Sequence, residues 1–201
     1  MTTTAGSNKS GLDWWNKHKN KTEFANSTSI EDLESRFKAN VKAFKRALED
    51  GGATVAISAT RRSRKRAYVF HYAWAIAKLG KKASTVPSEP GVDIEWEHGD
   101  EAKSKEAAQK IVTAAGLAYQ ASLSSRHISG KAIDWTITWT GDLEIAKKDG
   151  TKVKITSTPR HGGKGSTHNG NTELHAVGKT YGVIKANFSR IDGPHWSTDG
   201  K

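Results

Sequence analysis

The sequence predicts an α+β protein, with helices packed on a mostly antiparallel sheet and a site in a groove on the sheet's other face. Three observations carry this. Helical and strand-like hydrophobic periods follow one another as helix, strand, helix, strand, helix, strand, hairpin, helix, strand. One segment alternates cleanly, with Ile133, Trp135, Ile137 and Trp139 on one face and Ala132, Asp134, Thr136 and Thr138 on the other. A length of 201 residues supports one good core and falls short of two full domains, so a single domain is expected.

Taken in order, residues 1–26 read as a flexible or loosely docked arm, which Trp14, Trp15 and Phe24 could pin to the body or to a partner. Thr28-Ser29-Ile30-Glu31 has the form of a capping box. Ile30, Leu33, Phe37, Val41, Phe44 and Leu48 then recur at helical spacing until Gly51-Gly52 stops them. A short strand over 53–58 places Val55 and Ile57 on one face, and a polar turn follows. The helix predicted over 66–79 is apolar on nearly all sides, so it is buried, and His71 within it reads as a core histidine with a hydrogen-bond partner.

Residues 84–91, with Pro87 and Pro90, form a loop, and 92–96 alternates like a strand with Asp93 and Glu95 facing solvent. Asp100 caps a helix that runs to about residue 115, where Gly116 ends it. Beyond the alternating strand, 143–145 and 152–155 flank Asp149-Gly150, a hairpin signal. The glycine-rich stretch 160–171 holds His161 and His168. It lacks the strand-loop-helix setting and the Lys-Ser/Thr ending of a phosphate-binding loop, so solvated histidines on a lid or tip are expected. A helix over 172–181 and a strand over 183–186 complete the elements.

Composition narrows the chemistry. No run of about 18 apolar residues exists, so membrane insertion is not expected. The first residues carry no apolar signal region, so the protein is expected to be made in the cytoplasm without a signal peptide. With no cysteine, a metal would have to sit on His, Asp or Glu. The net charge of +11 suits either an anionic target or merely a well-solvated surface, and its one dense cluster is Arg61-Arg62-Ser63-Arg64-Lys65-Arg66.

The candidate site begins at His127. Gly130 lets the backbone fold over and bring the imidazole back towards the face that carries Asp134. Such a pair is commonly a structural hydrogen bond. Near the C-terminus, however, Asp192-Gly193-Pro194-His195-Trp196 offers a second histidine and a spare carboxylate. His127, Asp134 and His195 would make three protein ligands, the number a catalytic zinc uses while its fourth position stays open, and Asp192 would be placed to act as general base.

The pattern Ser125-x-His127-x-x-Gly130-x-Ala132-x-Asp134 with the late Asp192-x-x-His195-Trp196 resembles the two-part signature of a zinc peptidase family. That family comprises D-alanyl-D-alanine carboxypeptidases and phage L-alanyl-D-glutamate endopeptidases, and its fold is shared with the hedgehog signalling domain. The likeness spans roughly residues 50 to 200 and is strongest at its two ends; family members more often have Glu at the position of Asp192. It implies a zinc peptidase domain over 27–201, Zn2+ on His127, Asp134 and His195, and Asp192 as base. It also implies an arginine that stabilises the oxyanion, within a run similar to Ser58-Ala59-Thr60-Arg61. Arg61 is the first choice for that role and Arg62 the fallback. Ser125, Arg62 and Trp196 complete the residues expected around the substrate, Trp196 packing beside the metal to hold His195.

The implied partner is bacterial peptidoglycan, reached by phage lysis, virion or secretion delivery. The rival reading is a basic nucleic-acid-binding protein without catalysis, using the arginine cluster and needing no metal.

Overall fold

The computed structural model describes residues 8–156, 171–186 and 193–201. The fold is α+β. Its contacts divide the chain into two compact units, Met1–Ala25 with Ser63–Ser124, and Asn26–Arg62 with Ser125–Lys201.

The first unit is helical. It contains α1 (Leu12–His18), α3 (Arg64–Leu79) and α4 (Glu101–Ala114), with short 3-10 turns at Thr22–Phe24 and Ala83–Thr85. Residues 8–25 pack within this unit. Trp14, Trp15 and Phe24 are buried with Tyr68, Val69, Ile76, Trp96, Ile111 and Val112, and His18 stacks on Trp14 at 4.0 Å between ring centres. Three large aromatic side chains contribute enough apolar area to tie so short a segment down.

The caps agree with the sequence at α4, where the Asp100 side chain accepts from the Lys103 N–H. Helix α3 starts two residues earlier than its apolar face suggests, because the Ser63 hydroxyl accepts from the Arg66 N–H. His71 is half-buried and its Nδ1 donates to the Ala121 carbonyl at 2.8 Å, as a core histidine should.

Residues 92–96 are not a strand. Trp96 is buried, Val92 and Ile94 are half-buried, and Asp93 and Glu95 are exposed, so the alternation is real. The segment nevertheless joins only single bridges, Lys9 with Glu95 and Glu89 with Val92. Alternation follows from one-sided burial; a ladder also needs a partner of matching length.

The second unit holds α2 (Ser35–Asp50) and α5 (Thr172–Thr180) with a four-stranded sheet of order β1-β2-β6-β5. Its strands are β1 (Thr54–Ala59), β2 (Ala132–Thr138), β5 (Ile184–Lys185) and β6 (His195–Ser197), and every neighbouring pair is antiparallel. The hairpin β3 (Leu143–Ala146) and β4 (Lys152–Ile155) pairs as the Asp149-Gly150 signal predicts. Phe37, Val41, Phe44 and Leu48 on α2 share one core with Ile133, Trp135, Ile137 and Trp139 of the alternating segment and with Leu174, Val177 and Trp196. The opposite face of β2 is thereby left to Asp134.

Helix α2 begins five residues later than the Ile30 pattern predicts. Ile30–Asp32 is a 3-10 turn capped by Ser29, Leu33 is extended, and the Glu34 side chain caps the helix by accepting from the Arg36 and Phe37 N–H groups. The break is imposed from outside, because the Glu34 N–H donates to the Gly130 carbonyl at 2.9 Å. An N–H committed to another segment cannot continue a helix.

Close packing sets one glycine. A Cβ on Gly178 of α5 would lie 2.6 Å from the Trp196 ring and 2.8 Å from the Val183 carbonyl oxygen. Gly→Ala in an open helix gains about 1 kcal/mol, but overpacking costs about 1–3 kcal/mol. Gly178→Ala is therefore expected to lower the melting temperature; an unchanged or raised midpoint would show that this contact has slack.

Candidate metal centre

Three side chains converge on the sheet face opposite the core. Asp134 lies mid-way along β2, and antiparallel pairing sets His195, the first residue of β6, directly across from it. Alternation then sends Trp196 to the other face, against Phe44, Trp135 and His175. His127 comes from the loop before β2. Gly130 turns that loop at φ 67°, and a Cβ there would meet the Glu34 nitrogen at 2.9 Å. The Ser125 hydroxyl accepts from the His127 N–H at 3.3 Å.

The facing atoms form a nearly equilateral triangle. His127 Nε2 stands 3.0 Å from Asp134 Oδ1 and 3.1 Å from His195 Nδ1, and His195 Nδ1 stands 3.0 Å from Asp134 Oδ1. All three residues are buried, with relative exposures of 0% for His127, 5% for Asp134 and 7% for His195.

The outer atoms of the rings fix what the inner ones present. His127 Nδ1 faces the Thr60 carbonyl oxygen, and His195 Nε2 faces the main-chain oxygen of Lys201 at 3.1 Å. A carbonyl oxygen can only accept, so each of these nitrogens carries its ring's hydrogen and a neutral ring turns its lone pair inward. Two lone pairs and a carboxylate oxygen cannot sit at 3 Å without a proton or a cation among them. Histidines that ligate metals characteristically donate their other N–H to a carbonyl or carboxylate in this way.

The Asp134 carboxyl is held well below the usual carboxylate range. Burial by itself would raise it, but a proton or cation shared with the His127 and His195 ring nitrogens, together with the Arg62 guanidinium, outweighs that. The site thus holds an ionised carboxylate and two imidazoles, a donor set that can hold a metal ion. Ligand atoms about 2.0–2.1 Å from a tetrahedral ion stand about 3.3–3.4 Å apart. The observed triangle needs to open by only a few tenths of an ångström.

The segment leaving β1 clasps the site through alternate residues. The Ser58 hydroxyl donates to the Asp134 main-chain oxygen at 3.1 Å, Thr60 supplies the carbonyl for His127, and the Arg62 N–H donates to the His127 carbonyl at 3.2 Å. Arg62 Nη2 also donates to Asp134 Oδ2 at 2.6 Å. The run begins inside a register shift between Ile57 and Ala59.

Of the sequence-predicted residues, His127, Asp134 and His195 come together, and Ser125 braces the His127 main chain. Arg62 reaches the site, whereas the Arg61 side chain is exposed and has no hydrogen bond or ion pair among the described residues. Trp196 is wholly buried in the core, so it supports His195 from behind the strand and does not line a substrate surface. Asp192 and the histidines at 161 and 168 lie outside the described residues. The main-chain oxygens of Thr60 and Lys201 were not foreseen, since such an atom leaves no mark on residue type.

No protein-family model and no curated protein matches the sequence.

One divalent ion per chain is expected by elemental analysis of the purified protein, and none in His127→Ala. Added metal should raise the wild-type melting temperature with concentration, equivalent to about 2.7 kcal/mol at a hundredfold excess over Kd. A midpoint insensitive to metal, or equally sensitive in His127→Ala, would remove these three residues as the ion's ligands.

Proposed function

We propose that this protein is a zinc-dependent hydrolase of peptidoglycan stem peptides, with the fold of the carboxypeptidase and endopeptidase family its motifs resemble. One observation carries the reading: the two halves of that signature, 61 residues apart between Asp134 and His195, meet at 3.0 Å on one sheet face with both imidazoles oriented by main-chain oxygens. Two imidazoles and a carboxylate also suit iron(II), so zinc is selected by the resemblance and not by the donor set.

His127, Asp134 and His195 would hold the ion. Bound there, it would polarise the scissile carbonyl and lower the pKa of a water from 15.7 to about 7. Asp192, three residues ahead of His195, would accept a proton from the attacking water and return it to the leaving amine. Arg62 is already engaged with Asp134, which leaves the exposed Arg61 as the cation for the developing oxyanion. The net charge of +11 favours approach to a carboxylate-rich wall polymer.

Nucleic-acid binding through the arginine cluster gains no comparable support. Arg62 pairs with Asp134 and Arg64 with Glu89, and Arg66 lies over the Trp15 and Phe70 rings.

The test is digestion of purified sacculi with and without a chelator, with the new termini identified by mass spectrometry. Release should stop on chelation and in His127→Ala. New amino termini on Glu would indicate cleavage between L-Ala and D-Glu, and on Ala between two D-Ala residues. Asp192→Asn should bind the ion as wild type does yet lose about 100- to 10,000-fold in turnover, the usual contribution of a general base. Release that ignores chelation would end the proposal.

A further inference from the structure

We propose that Arg62 is a positioning residue that holds Asp134 to a single donor oxygen and so keeps one position of the ion open. The inference rests on the metal reading above and goes beyond it.

The two oxygens of Asp134 have different partners. Oδ1 faces both histidine nitrogens at 3.0 Å, and Oδ2 receives Arg62 Nη2 at 2.6 Å. A carboxylate is able to grip one cation through both oxygens, and on a small ion the second oxygen takes up a coordination position. A catalytic site needs three protein donors and a vacant fourth position. Here a charge-assisted hydrogen bond already occupies Oδ2. Turning that oxygen inward would break the bond and strip a carboxylate with only 5% exposure of its cationic partner.

The main chain fixes the side from which Arg62 approaches. Its N–H is tied to the His127 carbonyl and the carbonyl of Thr60 to the His127 ring, so the residue is anchored to one ligand while its guanidinium holds another. The neighbouring Arg61 has neither contact, which separates the roles of two adjacent arginines that composition alone cannot distinguish.

The test uses the full chain loaded with cobalt(II), whose visible absorption is strong in four-coordinate sites and several-fold weaker when the coordination number rises. Wild type, Arg62→Met and Arg62→Lys are compared, with circular dichroism confirming that each is folded. Arg62→Met has similar length and no donor. It should show a several-fold fall in absorbance per bound cobalt and a weaker spectral response to added azide, a small anion that enters a vacant position. Arg62→Lys, which offers one cationic donor to one oxygen, should return both readouts towards wild type. Loss of cobalt binding in Arg62→Met with recovery in Arg62→Lys would also support positioning.

An Arg62→Met spectrum indistinguishable from wild type, or equal loss in both variants, would overturn the inference while leaving the metal reading intact. If wild type binds no cobalt that His127→Ala fails to bind, the metal reading falls and takes this inference with it.

Discussion

The pairing of β2 with β6 is the constraint on which the site depends. Two strands that share main-chain hydrogen bonds fix opposite residues about 4.5–5.5 Å apart at their Cα atoms. Register therefore decides which side chains meet. Here it sets Asp134 against His195 and Ile133 against Trp196. A slip by one residue would send His195 into the core and Trp196 into the polar site. The core guards against this slip. Trp196 is closed in by Phe44, Trp135 and His175, and Gly178 is the only residue type that leaves room for its ring. Apolar packing on one face thus sets the geometry of polar groups on the other.

How much of this is legible in the sequence depends on whether local or distant interactions decide an element. The faces of β2, the α4 cap and the β3–β4 hairpin are all readable because each is settled within a few residues: by alternation, by an aspartate ahead of a helical period, by an Asp-Gly turn. The start of α2 is not readable in this way. Its capping-box residues do form a turn, but a hydrogen bond from Glu34 to Gly130, nearly a hundred positions away, ends it and restarts the helix. Residues 92–96 alternate without a sheet to join, and the grouping of 8–25 with 63–124 is a long-range packing outcome that Trp14 and Trp15 only hint at.

The candidate site divides along the same line. The three ligand candidates are visible as residue types at telling positions, and Ser125 as a loop residue. Which arginine reaches Asp134 is not visible, because Arg61 and Arg62 are chemically alike and only the path of the chain after the register shift at Ile57 and Ala59 separates them. The exact partners of the imidazoles are hidden for a different reason. They are main-chain oxygens, present at every residue, and only the folded chain shows that those of Thr60 and Lys201 are the ones in place.

The division of the sheet into two faces also bears on what kind of metal centre this would be. Where a metal holds a small domain together, the ligands and the core are the same place, and the chain unfolds when the ion leaves. Here the apolar residues of β2 face α2, while Asp134 faces away from them. The hydrophobic contribution of residues such as Ile133, Trp135 and Ile137 is made without the ion. What the ion would relieve is local: an ionised carboxylate and two inward lone pairs buried together, partly balanced by Arg62. A core that does not include the three ligand candidates keeps its packing whether or not an ion is bound, so the fold would not depend on the metal.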